Sequence, residues 1–208
     1  MAVLTVALLG LTAVASADIE QYSDNFSFPL SPGGTNVFLP QFDDMGGTRT
    51  LQSVYMEIYA EIGSSITAEN DSTLSAPAFQ VSLTGLVDAT APGLSTSVGL
   101  ASTWGFALDP TDGVAKSGSD YHDFGYLSDN GTDHDSLPPG DLSPYIGTGN
   151  VTIDITGSAG WGFQGTTDAT LTIDNLGACG CAKIIYTYTP EPASLLLIGL
   201  VLPMIRRR

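Results

Sequence analysis

Thr50-Leu-Gln-Ser-Val-Tyr-Met-Glu-Ile-Tyr-Ala-Glu-Ile62 is the most regular stretch of the chain, and its period is two. Val54, Met56, Ile58, Ala60 and Ile62 alternate with Tyr55, Glu57, Tyr59 and Glu61. Successive side chains of a strand point to opposite faces, so the apolar set lines one side and the amphipathic set the other. That is a half-buried strand. The same alternation recurs at Phe79-Val81-Leu83, over residues 94–100, and at Val151-Ile153-Ile155. It returns at Ala169-Leu171-Ile173 and at Ile184-Tyr186-Tyr188, with a shorter candidate strand over 36–39. Gly- and Pro-bearing clusters at 31–34, 45–47, 91–93 and 157–160 separate the runs as turns. No window between the two ends of the chain shows a helical period. Many short strands with Gly-rich turns predict an all-β domain, an antiparallel β-sandwich of about seven to nine strands.

Both ends of the 208 residues read differently from this middle. Residues 1–17 form a short apolar run closing on Ala15-Ser16-Ala17, the pattern of a secretory signal peptide cut between Ala17 and Asp18. No Lys or Arg precedes the run, so either the α-amino group supplies its positive charge or the true start lies upstream. Residues 18–189 are enough for one domain with a sizeable core. Every acidic residue except Glu191 lies there, against only Arg49, Lys116 and Lys183, and the net charge of the whole chain is −16. Such a surface repels nucleic acid and anionic lipid, which excludes both as partners. Aromatic and β-branched residues are too frequent for a disordered chain.

Residues 103–145 lack sustained periodicity and carry many Pro, Gly and Asp residues. They predict a long polar excursion at one end of the sandwich, the first place to look for a site. Both histidines fall inside it, in Asp120-Tyr121-His122-Asp123 and Asp133-His134-Asp135. Imidazole beside carboxylate can bind a metal or act as a base, yet the spacing matches no usual zinc pattern. Asp129, Asp133 and Asp135 offer hard oxygen donors on a loop and are candidate calcium ligands, the alternative being a solvated acidic loop. Cys179 and Cys181 flank Gly180. In an exported chain they predict a strained local disulfide, closed by a turn at the glycine. Trp104 and Trp161 sit in similar Trp-Gly-Phe triplets, with Phe106 and Phe163. They read as core, with a stacking platform for sugar as the alternative. There is no nucleophile elbow and no phosphate-cradling Gly-rich loop, and no pair of carboxylates is marked as acid and base. The expectation is a protein without catalytic activity. A secreted hydrolase with its site in 103–145 is the rival.

The last segment, 190–208, has three parts: Pro190-Glu191-Pro192, an apolar run over 193–205, and Arg206-Arg207-Arg208. As a helix the run is roughly 20 Å long, short of a full bilayer span. The arginines hold its end on the cytoplasmic side. This layout resembles the PEP-CTERM sorting signal of Gram-negative bacteria. The resemblance implies recognition by exosortase, a membrane peptidase, with processing near the motif. Thr189 stands where Val is common, and Pro203 interrupts the run. Residues 36–62, 145–152 and 185–189 are similar to stretches of the choice-of-anchor E domain, a family without an assigned activity. Together these imply export through the inner membrane, transient anchoring there, and release to the outer surface or a biofilm matrix. Extracellular polysaccharide is the expected partner. No cofactor is expected beyond the candidate calcium.

Overall fold

A computed structural model describes residues 16–30 and 32–191. They form eight strands: β1 (Asp18–Pro29), β2 (Gly33–Pro40), β3 (Arg49–Asn70), β4 (Ala76–Ala91), β5 (Leu94–Leu108), β6 (Tyr121–Leu137), β7 (Asn150–Gln164) and β8 (Ala169–Pro190). One 3-10 turn, Ser143–Tyr145, interrupts the connection before β7. The strands pair antiparallel in two four-stranded sheets, ordered β1-β8-β3-β6 and β2-β7-β4-β5. The β-sandwich expected from the alternation is therefore present. Its strand order is that of a jelly roll, in which successive strands cross between sheets everywhere except the β4–β5 hairpin.

The period-two reading of β3 holds from Val54 to Ile62, the stretch that predicted it, while a register shift between Leu51 and Ser53 changes the inward parity before it. Val54, Met56, Ile58, Ala60, Ile62 and Ile66 are fully buried, while Tyr55, Glu57 and Tyr59 stay on the outer face. At about 3.3 Å per residue, 22-residue β3 and β8 reach roughly 70 Å, so the sandwich is elongated. Its core has two parts. The larger joins Phe26, Leu39, Ile58, Leu83, Ile153 and Tyr186, and the smaller joins Ile66, Phe79, Val81 and Leu108. Trp104 and Trp161 meet between them at 5.4 Å, centroid to centroid, and pack against both.

One sequence expectation changes here, and one strand falls where none was expected. The excursion predicted over 103–145 is mostly strand: it contains the end of β5 and all of β6, leaving residues 109–120 and 138–149 as connections. Strand β6 hides from a hydropathy reading because, between the core-packed Leu127 and Leu137, its inward row is Asp129, Gly131, Asp133 and Asp135, which face the edge of β5. The strand not expected is β1, which carries only Phe26 and Phe28 as buried apolar residues and so shows little alternation. In β8 the inward set switches parity near Asn175, whose φ is +58°, where a bulge opposes Gly63 and Ser65. Leu171 faces the smaller core on one side of it, and Ala178, Ala182 and Ile184 face the larger core on the other.

Candidate functional site

Strand β5 ends one sheet, so one row of its backbone N–H groups has no neighbouring strand. Carboxylates from β6 take that place. Asp135 accepts from the N–H of Ser95 at 2.9 Å. Asp133 accepts from the N–H of Ser97 at 3.1 Å and from the hydroxyl of Thr96 at 2.6 Å. Asp129 accepts from the N–H of Ala101 at 3.0 Å. Gly131 completes the row, since a Cβ there would lie 2.9 Å from Val98. The three aspartates expected to gather around calcium are instead spread along one strand. Asp129 and Asp133 are four residues apart, or about 13 Å. Each already serves amide donors, and the arrangement closes a sheet edge that would otherwise invite foreign strands. Among the described residues, no three His, Cys, Asp or Glu side chains converge as a metal site.

The histidines are also apart. In register with β3, His134 lies opposite Glu57 and His122 opposite Ala68, eleven residues or roughly 35 Å along the strand. His134 stacks on Tyr55 at 5.1 Å. His122 lies flat on Phe106 at 3.5 Å and meets the edge of Phe124.

Cys179 and Cys181 are both free thiols. The expected turn at Gly180 does not form, because β8 runs straight through the glycine between β1 and β3. Gly180 serves close approach: a Cβ on it would lie 2.0 Å from the carbonyl oxygen of Tyr59 and 2.6 Å from the Phe26 ring. In an extended strand the two cysteines project from the same face about 6.5–7 Å apart at Cα, the edge of disulfide reach. Burial, followed by the Glu61 charge, pushes the Cys179 thiol up.

The outer face of the β1-β8-β3-β6 sheet carries the most varied chemistry. Lys183 pairs with Glu57 at 2.5 Å, between Tyr55 and Tyr59 on β3. Beside them a shallow groove of about 630 Å³ is lined by Tyr55, Glu57, Pro138, Ile185 and Thr187.

The described residues end at one end of that sheet. Pro190 is the last residue of β8, opposite Arg49, and the N–H of Glu191 donates to the Thr48 carbonyl at 2.8 Å. Arg49 pairs with Glu20 at 2.7 Å and lies over the rings of Phe42 and Tyr188. At the other end Asp18 opens β1 opposite Tyr188. Ala17 directly precedes it. Pro192, Arg206, Arg207 and Arg208, with the expected apolar helix and the body of the signal peptide, lie outside the described residues. Among the described residues no helix is long and apolar enough to cross a membrane.

No family model matches the chain, and no curated protein matches it. Among solved structures, the dimeric latent form of PorU from Porphyromonas gingivalis is 11% identical over 86% of this chain, with a TM-score of 0.27. The match covers 14% of PorU, so the chain spans a small part of that protein's length. A chain of Desmodium yellow mottle tymovirus is 9% identical over 91% of this chain and 98% of its own, with a TM-score of 0.23. A chain of the Gt strain of infectious bursal disease virus is 10% identical over 92% and 43% respectively, at 0.20. Likenesses this loose leave the fold assignment resting on the strand order itself.

Proposed function

We propose that this chain is an exported, C-terminally sorted protein of the bacterial envelope or exopolysaccharide matrix, and that it binds without catalysing. The observation that carries the reading is the three-part segment Pro190-Glu191-Pro192, apolar run and Arg206-Arg207-Arg208. Its place relative to the domain supports it. Strand β8 ends at Pro190 and Glu191 is exposed, so the motif begins where the last strand stops. An exosortase-type peptidase acting there would leave every strand of the sandwich intact. A signal cut between Ala17 and Asp18 would likewise fall immediately before β1. An extended polysaccharide is the ligand this proposal favours. The groove beside Tyr55 is open and shallow, a shape that suits a chain better than an enclosed small molecule.

The test is the intact mass of the protein recovered from its native host. A chain beginning at Asp18 and lacking the residues beyond about Pro190 is expected. A full-length C-terminus would mean a permanent anchor and overturn transient sorting. Binding to the host's own exopolysaccharide without bond cleavage is the second expected result, while turnover would select a hydrolase.

A further inference from the structure

The connection from β5 to β6, residues 109–120, is held to the end of β3 through Asp120 and Glu69, and one buried carboxylate oxygen there has nothing to bind. Asp120 is fully buried. Its carbonyl oxygen accepts from the N–H of Asn70 at 2.8 Å, and its Oδ2 accepts from the N–H of Asp112 at 2.9 Å. Its Oδ1 is buried without any hydrogen-bond partner. Asp112 Oδ1 accepts from the N–H of Val114 at 2.7 Å, and Glu69 Oε2 accepts from the N–H of Lys116 at 3.1 Å.

The two remaining oxygens converge. The position that a Cβ on Gly118 would occupy lies 2.5 Å from Asp112 Oδ2 and 2.7 Å from Asp120 Oδ1. They therefore sit side by side over a glycine whose φ of +85° disfavours any other residue. Glu69, only 9% exposed, adds negative charge at the base of the loop.

A buried carboxylate oxygen carries a large desolvation penalty unless it is hydrogen-bonded or neutralised, and a second carboxylate beside it raises that penalty. A cationic side chain could relieve it. Among the described residues, though, the ion pairs are Arg49–Glu20 and Lys183–Glu57, both elsewhere. A hard cation relieves both oxygens at once. Calcium accepts carboxylate, carbonyl and water oxygens in irregular geometry at 2.3–2.6 Å, whereas magnesium demands a near-ideal octahedron and soft metals want nitrogen or sulfur. We propose that Asp112 and Asp120 bind one Ca²⁺, with loop carbonyls and water completing its shell, and that the ion ties the 109–120 loop together beside the Asn70–Asp120 bond that anchors it to β3.

The test is calcium titration of the chelator-treated full-length protein, followed by calorimetry and thermal melting. One Ca²⁺ per chain is expected, with a rise in Tm that magnesium does not reproduce. Asp112 is exposed, so Asp112→Asn should fold normally while weakening calcium about ten-fold or more. Asp120→Asn should also lose calcium and raise the Tm of the calcium-free protein, by removing the unpaired buried charge. Asp133→Asn, on the β6 seam, should leave the affinity unchanged. No heat and no Tm shift with calcium would overturn the site. Unchanged affinity in Asp112→Asn, or loss in Asp133→Asn alone, would overturn it equally, and if Asp120→Asn fails to fold then Asp112→Asn decides.

Discussion

One oxygen of Asp133 holds two groups of β5, the Thr96 hydroxyl at 2.6 Å and the Ser97 N–H at 3.1 Å, and so joins strands that belong to different sheets. Thr96 is only 4% exposed, so its hydroxyl has little water to turn to. Asp133→Ala should cost about 2 kcal/mol, the range for hydrogen bonds to a charged acceptor. The Thr96 hydroxyl first, then the N–H groups of Ser97 and His134, hold the Asp133 carboxyl below its usual value. A depressed folded pKa adds stability above the unfolded value of 3.8 and loses it as pH falls through the folded one. The Tm should therefore fall below about pH 4, and Asp133→Ala should flatten that fall. Parallel Tm–pH curves for the two proteins would refute the role.

The alkaline limit has a different origin. Tyr145 is fully buried and donates its hydroxyl to the Pro92 carbonyl at 2.7 Å, and Tyr186 does the same to Pro40 at 2.9 Å. Burial pushes Tyr145 from 10.0 up to about 12 and Tyr186 higher still. A raised folded pKa means stability is complete below the unfolded value and is lost as pH rises through the folded one. Unfolding should thus steepen between pH 10 and about 12, with tyrosinate absorbance and loss of β circular dichroism rising together. Tyr145→Phe should move that midpoint upward while costing about 1 kcal/mol at neutral pH, where Pro92 loses its donor.

How legible this was in the sequence depended on what each strand faces. Strand β3 packs against apolar side chains along its length, so its alternation of Val54, Met56 and Ile58 with Tyr55 and Glu57 states both its type and its faces. Strand β6 packs its inner side against backbone amides. Its alternation is Asp129, Gly131, Asp133, Asp135, a period of two written in acid and glycine, which a hydropathy reading treats as loop. A search for alternating charge would have found it. The jelly-roll order was not readable, since pairing such as Asp18 with Tyr188 is set by packing far along the chain. Nor were Asp112 and Asp120 distinguishable from their acidic neighbours. What separates them is burial and convergence on Gly118, and neither is local. That Pro190 closes β8 was likewise not readable, since a strand's end is set by its partners on β3.

The cysteines make a chemical prediction. With β8 straight at Gly180, both thiols are free and Cys179 is exposed, so alkylation of the native protein should add to Cys179 first and denaturation should expose Cys181. Because burial and Glu61 push the Cys179 thiol up, its reaction with iodoacetamide should be slow at neutral pH and accelerate above the ordinary thiol range. Peptide mass mapping reads both steps. No adduct after denaturation, with two adducts once a reductant is added, would show that the two are bonded after all.

Gly180 itself gives the sharpest packing test. A Cβ there would lie 2.0 Å from the Tyr59 carbonyl oxygen, which belongs to the backbone of the central strand and cannot swing aside. The Phe26 ring at 2.6 Å could move, but only by opening the core beneath β1. Gly180→Ala should therefore cost about 3 kcal/mol in denaturant unfolding, the upper range for overpacking. Gly99→Ala is the control: it sits on the outer face of β5 with nothing within 4 Å, and should change stability by less than about 0.5 kcal/mol. Adding Phe26→Ala to Gly180→Ala separates the two contacts. The ring is removed while the carbonyl remains, so the double variant should recover little and should carry the Phe26 cavity cost as well. Full recovery would mean that the ring, not the strand backbone, requires glycine at this position.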